Sequence, residues 1–292
     1  MSALRPWLLA ARPATLWAAA APVAVGAGLA WGEEAFRVDA FLVALAAAVL
    51  INIGANFAND ASDARRGADG PERLGPTRAV ASGLISPRSM WTGVTVVFAL
   101  ASAGGIYLAV IAGWPVLVIG VAALAAALAY TGGPCPYGYL GLGEAAVFVF
   151  FGLAATVGSR FVHDGTAPAA AWLLAVPVGL MVTAILVANN VRDVDTDRAA
   201  GKRTLAVVLG RQGGRRLYAA VVAGAFAVLA LEAALGAVPR LCLLGLLAAP
   251  PAVPVTAAVL RETEPAALIR ALRATARLHA LMGGLIAVGA AL

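Results

Sequence analysis

The sequence predicts an all-α integral membrane protein: a bundle of about nine transmembrane helices around a central apolar cavity, with a polar site facing the cytoplasm. Composition is the first observation behind this. Hydrophobic residues make up 62% of the 292 and charged residues 12%, with a mean hydropathy of +0.89, against about 45–50% and about 25% in soluble domains. The second is segment length, since the apolar residues fall in runs of roughly 20, the number a helix needs to cross a hydrocarbon core about 30 Å thick. These runs are rich in Ala, Leu and Gly without alternation, which argues against an outer-membrane barrel. The third is the placement of charge between them.

The runs are 14–31, 38–58, 89–111, 113–130, 143–162, 168–190, 217–236, 239–260 and 274–292. The first follows Arg5 and Arg12, and the second ends in an acid cluster. The third and fourth come after the basic stretch from Arg65 to Arg88, and the fifth opens beside Glu144. The sixth ends in a second acid cluster, the seventh and eighth follow the basic stretch from Arg198 to Arg216, and the ninth carries Arg277 near its start. With the N-terminus inside, only Arg37, Arg160 and Arg240 lie outside, leaving 18 of the 21 Lys and Arg on the inner side. That asymmetry orients the chain as a multi-pass protein of the cell inner (cytoplasmic) membrane with both acid clusters facing the cytoplasm. Reading the first run as a signal peptide would invert this bias over the remaining spans.

The net charge of +6 expresses this topology and an affinity for anionic headgroups. The lipid bilayer is the expected surrounding partner, and nucleic acid is not, because no soluble basic domain exists to hold it. Cys135 and Cys242 fall on opposite membrane sides, so no disulfide or thiol metal site is implied. His163, His279 and Glu232 are read as structural, and Arg270, Arg273 and Arg277 as snorkelling to headgroups. The whole chain, 1–292, is read as a single transmembrane domain.

The acid clusters carry the chemistry. Asn56, Asp60 and Asp63 are spaced i, i+4, i+7, and Asn189, Asp193 and Asp197 are spaced i, i+4, i+8, so each set forms one polar stripe on a helix. Carboxylates gathered this way repel one another unless a cation is shared. Two facing stripes suit a Mg²⁺–diphosphate cluster, since Mg²⁺ takes oxygen ligands and is usually shared between carboxylates and phosphate oxygens. The two clusters, each followed by a basic segment, form a weak internal echo, as expected of metal-binding helices arranged two-fold around one pocket. A substrate with a diphosphate head and an apolar tail fits both the polar mouth and the apolar bundle.

The run Asn59-Asp60-Ala-Ser-Asp63-Ala-Arg-Arg66-Gly67-Ala-Asp69, followed by Gly75-Pro76-Thr-Arg78, resembles the first motif of the UbiA-type intramembrane prenyltransferases. Within them it is most similar to the menaquinone-pathway 1,4-dihydroxy-2-naphthoate polyprenyltransferases. Arg12-Pro13-Ala-Thr15, the block from Tyr130-Thr-Gly-Gly-Pro through Tyr139 to Glu144, Asn189-Asn190-Val-Arg192-Asp193 with Asp197, Gly201-Lys202-Arg203-Thr204, and Ala274-Thr-Ala-Arg277 carry the same resemblance from end to end. The chain departs from the widest form of the first motif at Gly67, where a last acid would stand; Asp69 is its substitute in the naphthoate branch.

The resemblance implies transfer of a polyprenyl group from polyprenyl diphosphate to 1,4-dihydroxy-2-naphthoate, with decarboxylation, giving a demethylmenaquinone. It implies Mg²⁺, with Mn²⁺ as a substitute, held by Asn56, Asn59, Asp60, Asp63, Asp69, Asp193 and Asp197. Arg66, Arg78, Lys202 and Arg203 add donors to the diphosphate. Tyr130, Tyr139 and Phe57 offer π faces to an allylic cation. Asn189, Asn190 and Glu144 join the substrate site, and either Arg12 or Arg192 holds the acceptor carboxylate. Two alternatives stay open: a sister enzyme acting on homogentisate, a porphyrin or a sugar-phosphate acceptor, and a secondary transporter, whose acids would lie nearer the midplane.

Overall fold

The computed structural model describes residues 4–67, 74–75 and 77–292, and within these the chain is helical with no strand. A short helix α1 (Leu4–Ala11) meets α2 (Trp17–Gly32) at a bend of 51°. Then come α3 (Val38–Arg65), α4 (Pro87–Ala112) and α5 (Pro115–Ala129). Helix α6 (Gly143–Val147), a π-helical turn at Phe148–Ala154 and α7 (Ala155–Asp164) form one rod. Helices α8 (Ala169–Ala199), α9 (Leu205–Ala234), α10 (Ala249–Arg261) and α11 (Pro265–Ala291) complete the chain, with 3₁₀ turns at Arg240–Ala248 leading into α10.

Each expected run falls on helix, but the described residues contain seven helices long and apolar enough to cross a membrane, or eight if the bent α1–α2 pair is one span. The remaining run, α5, has 15 residues, about 22 Å of helix at 1.5 Å per residue, so the count of nine full spans is not reached. The multi-pass membrane architecture is clear.

Local chemistry sets the helix ends. Proline occupies the first position of α4, α5 and α11, where its missing N–H costs nothing. Ser86 caps α4 by accepting the Ser89 N–H, and Thr204 caps α9 by accepting the Val207 N–H. Close packing then depends on small residues, since lipid tails provide no hydrophobic drive between helices. Gly26 lets α2 approach the backbone of α7, where an added Cβ would stand 2.5 Å from the Thr156 carbonyl oxygen; Gly28 lets the opposite side of α2 approach Ala287 of α11.

Helix α8 is buried along most of its length and packs against α9, α11, α2 and the α6–α7 rod, forming the larger apolar core. Helices α3, α4 and α5 pack together on the other side. Between the halves lies a cavity of about 640 Å³. Along α3 its wall runs from Ala44 to Asp63, about 28 Å, nearly the thickness of a bilayer core.

Candidate active site at the mouth of the cavity

The last turns of α3 and α8 deliver the two acid stripes to one end of the cavity. Asn56, Asn59 and Asp63 from α3 and Asn189, Asp193 and Asp197 from α8 line the same wall, together with Arg12, Arg78, Tyr130 and Lys202. Their upper neighbours are apolar and mostly small, such as Ala44, Ala48, Ala101, Gly120 and Ala155.

Asp63 is the hub. Only 1% exposed, it accepts from the Arg78 guanidinium at 2.9 Å, the Tyr139 hydroxyl at 2.9 Å and the Lys202 ammonium at 3.3 Å. Lys202 also stands 4.8 Å from the centre of the Tyr139 ring, and Arg66 5.5 Å from it, within cation–π range. Arg66 donates to the carbonyls of Thr131 and Gly133, and Thr131 donates to the Asn59 side chain at 2.9 Å. The Tyr130–Glu144 block is thereby fastened over the first motif. The Lys202–Asp63 contact joins the two halves across 139 residues.

On α8, Arg192 is 1% exposed and holds both carboxylate oxygens of Asp193, at 2.7 and 2.5 Å, while donating to Asn189 at 2.8 Å. Its guanidinium is not on the cavity wall, whereas Arg12 is. Arg12 sits at the α1–α2 elbow with φ 54°, ψ 63°, a left-handed backbone that non-glycine residues adopt at a cost of order 1 kcal/mol. Arg12 thus lines the cavity from this elbow.

Several expected residues are placed elsewhere. Asp60 is off the wall: its two oxygens accept the backbone N–H groups of Ala79 and Val80, each at 3.0 Å. Asn190 donates to Glu144 at 2.9 Å, both buried and both off the wall, so this pair ties α8 to α6. Arg203 is exposed and contributes its backbone N–H to the Tyr139 carbonyl. Phe57 packs edge-on against Trp7, away from the cavity. Asp69 lies outside the described residues.

The structure also adds residues. Asn52, one turn before Asn56 on the same stripe, lines the cavity and donates to the Thr15 carbonyl at 3.4 Å; extending the i, i+4 spacing backwards would have found it. Thr131 and Tyr137 line it as well. Burial pushes the Tyr137 phenol up to about 12, so it remains a donor, to the Ala126 carbonyl at 2.9 Å, with its ring edge-on to Tyr130 at 5.4 Å.

Among the described residues no three acids, histidines or cysteines converge as a protein-only metal cage. The donor set nevertheless fits Mg²⁺, which typically takes one or two carboxylates and completes its shell with water and substrate phosphate. Asn59 with Asp63, and Asn189 with Asp193 and Asp197, present such oxygens from the two sides of the cavity.

Known proteins share the sequence family and the fold. The family model described as the UbiA prenyltransferase family matches residues 19–281. The 1,4-dihydroxy-2-naphthoate octaprenyltransferase of Mycobacterium tuberculosis is 43% identical over 251 residues, covering 86% of this chain and 84% of that protein. The enzyme of the same name from Escherichia coli is 38% identical over 274 residues, covering 92% and 89%. The apo structure of a UbiA homologue from Aeropyrum pernix shares the fold with a TM-score of 0.72 at 19% identity, over 93% of this chain and 96% of that one. A homologue from Archaeoglobus fulgidus, bound to DMAPP and Mg²⁺, does so with a TM-score of 0.66 at 16% identity, over 97% and 99%. The helical fold is thus shared with solved relatives, and the chain is a member of the UbiA prenyltransferase family.

Proposed function

We propose that this prenyltransferase moves a polyprenyl group from its diphosphate to 1,4-dihydroxy-2-naphthoate, in a Mg²⁺-dependent reaction that releases diphosphate and CO₂ and that Mn²⁺ also supports. The observation carrying the reading is one cavity, about 28 Å long along α3, with acids, amides and cations at its mouth and an apolar wall behind them. The names of the relatives at 43% and 38% identity support the acceptor.

Asn59, Asp63, Asn189, Asp193 and Asp197 would hold the metal ion, which neutralises charge on the leaving diphosphate when bound. Lys202 and Arg78 donate to phosphate oxygens, a role suited to cations already gathered at Asp63. The apolar shaft takes the tail, each buried CH₂ contributing about 0.8 kcal/mol, and keeps water from the allylic centre. The Tyr130 ring, on the wall and braced by Tyr137, faces the developing positive charge. Arg12 anchors the acceptor carboxylate, because it lines the cavity and Arg192 does not. The carbon–oxygen bond of the allylic diphosphate breaks and the ring carbon bearing the carboxylate bonds to the allylic carbon. The carboxylate then leaves as CO₂, returning its electron pair to the ring and giving the quinol form of a demethylmenaquinone.

We read residues 1–292 as a single domain of the inner membrane with this mouth toward the cytoplasm, as the charge asymmetry indicates. Purified protein in nanodiscs, given Mg²⁺, a long polyprenyl diphosphate and the naphthoate, is expected to yield the decarboxylated prenyl product by mass analysis. Efficient prenylation of 4-hydroxybenzoate or homogentisate with none on the naphthoate, or a product retaining its carboxyl group, would overturn the assignment.

A further inference from the structure

Asp60 and Asp63 lie three residues apart on α3, so both face the segment that follows the helix. They grip consecutive residues of it in different ways. Asp63 takes the side chain of Arg78, at 2.9 Å. Asp60 takes the main chain of the next two residues: its Oδ2 accepts the Ala79 N–H and its Oδ1 the Val80 N–H, each at 3.0 Å. Asp60 is 2% exposed and Ala79 wholly buried. The same segment closes on itself, with Ser82 N–H bonded to the Arg78 carbonyl at 3.1 Å and Ile85 N–H to the Ala79 carbonyl at 3.0 Å. A carboxylate with one backbone donor on each oxygen, set off the cavity wall, is arranged to hold a turn.

Resting on the diphosphate reading of the mouth, we propose that Asp60 is a positioning residue. Its carboxylate folds the turn from Arg78 to Ile85 onto the end of α3 and so fixes the Arg78 guanidinium beside Asp63, where it meets the substrate diphosphate. The first motif then divides its labour. Asn59 and Asp63 face the cavity, and Asp60, between them in sequence, faces the chain that brings in the arginine.

The substitution Asp60→Asn puts an amide NH₂ against one of the two N–H groups, loosening the turn while keeping the side-chain volume. In membrane-reconstituted full-length protein we expect KM for polyprenyl diphosphate to rise roughly tenfold, the size of one lost charge-assisted hydrogen bond, with kcat and the Mg²⁺ concentration for half-activity little changed. Asp63→Asn is expected to move the Mg²⁺ requirement. The pair Asp60→Asn with Arg78→Gln should be no worse than Arg78→Gln alone, because the two act through one contact. Amide hydrogen exchange at Ala79 and Val80 should lose protection in Asp60→Asn and keep it in Asp63→Asn.

A Mg²⁺ requirement displaced in Asp60→Asn as in Asp63→Asn would make Asp60 a ligand and overturn the proposal. So would a fall in kcat with KM unchanged, additive losses with Arg78→Gln, or unchanged protection of the two amides. Should Asp60→Asn not fold, Ala79→Pro removes the donor to Asp60 Oδ2 and leaves every carboxylate in place; an unaltered KM in that variant would equally overturn it. Should the wild-type protein not turn over polyprenyl diphosphate, the reading of the site fails by itself and the exchange measurement still decides the role of Asp60.

Discussion

The two polar ends of the bundle are built from the same residue types and differ in what those residues surround. At one end Arg160, 3% exposed, donates to Glu33 at 2.6 Å and to both oxygens of Asp164 at 2.8 and 3.0 Å, while His163 accepts the Arg37 N–H at 3.0 Å. This knot binds the α2–α3 connection to the end of α7, and none of these residues lines the cavity. At the other end, about 36 Å away along α3 from Asp39 to Asp63, Arg78 and Lys202 both pair with Asp63, yet each of the three borders open volume. Buried ion pairs alone therefore do not distinguish a clasp from a site. What distinguishes them is whether the paired groups face a space in which a ligand can replace one partner.

An all-or-none test separates the two ends. Cys135 is exposed at the mouth end and Cys242 is buried, so a membrane-impermeant thiol reagent should label the wild-type protein only from the cytoplasmic side. In a Cys135→Ser background, Ala167→Cys, exposed just beyond α7, should be labelled only from the opposite side. Labelling of both from one side would remove the assigned topology.

The next largest effect is on turnover. Asp63→Ala, Asp193→Ala and Asp197→Ala should each lower kcat/KM by more than about 100-fold, roughly 2.7 kcal/mol of transition-state stabilisation, with the chain still folded in the membrane. Chelation of the metal should do the same to the wild type, reversibly on adding Mg²⁺. Any of these variants retaining a tenth of the activity when folded would break the contrast from the catalytic side.

Arg160→Ala should show the reverse pattern. We expect a loss of about 2 kcal/mol in stability, below the usual figure for a broken buried pair because Glu33 and Asp164 are 38% and 33% exposed, with kcat/KM of the surviving folded protein within about threefold of wild type. A thermal melt beside an assay on the same sample checks both halves of the statement.

The smallest effect concerns Tyr137. Its phenol lies near 12 in the folded protein against an ordinary value near 10, through burial. A group whose folded value is raised contributes stability that is fully present below its unfolded value and lost as pH rises through the folded one. Wild type and Tyr137→Phe should therefore show parallel stability curves up to about pH 10 and converge or cross between about 10 and 12. Curves that diverge below pH 9 would mean that another group is being read.

Much of the site was legible because helical periodicity is local. The i, i+4, i+7 and i, i+4, i+8 spacings place their residues on single stripes of α3 and α8, and every member except Asp60 lines one cavity. Periodicity reports a face without reporting what the face touches, which is why Asp60 and Asp63 were alike in sequence and differ in the fold. The same limit applies to Asn190 and Glu144, polar residues 46 positions apart whose chemistry is satisfied by each other. Span counting met a different limit, since hydropathy marks α5 as apolar but its length, 15 residues, is set by where Pro115 and the Tyr130 block let the helix begin and end.

Composition and short-range pattern by themselves determined that the chain is a helical membrane protein and that acids and amides form two stripes at helix ends. Those properties depend on single residues and on neighbours within two or three turns, so they are written in the order of the chain. Tertiary structure decided which of Arg12 and Arg192 lines the cavity, placing Arg12 there at its left-handed elbow and Arg192 off the wall. It also decided that Asp60 holds backbone, and that Lys202 closes on Asp63 across 139 residues. Hydrogen-bonding groups withdrawn from water take whichever partner the packing of helices brings within 3 Å or so, and that choice is made between segments far apart in sequence.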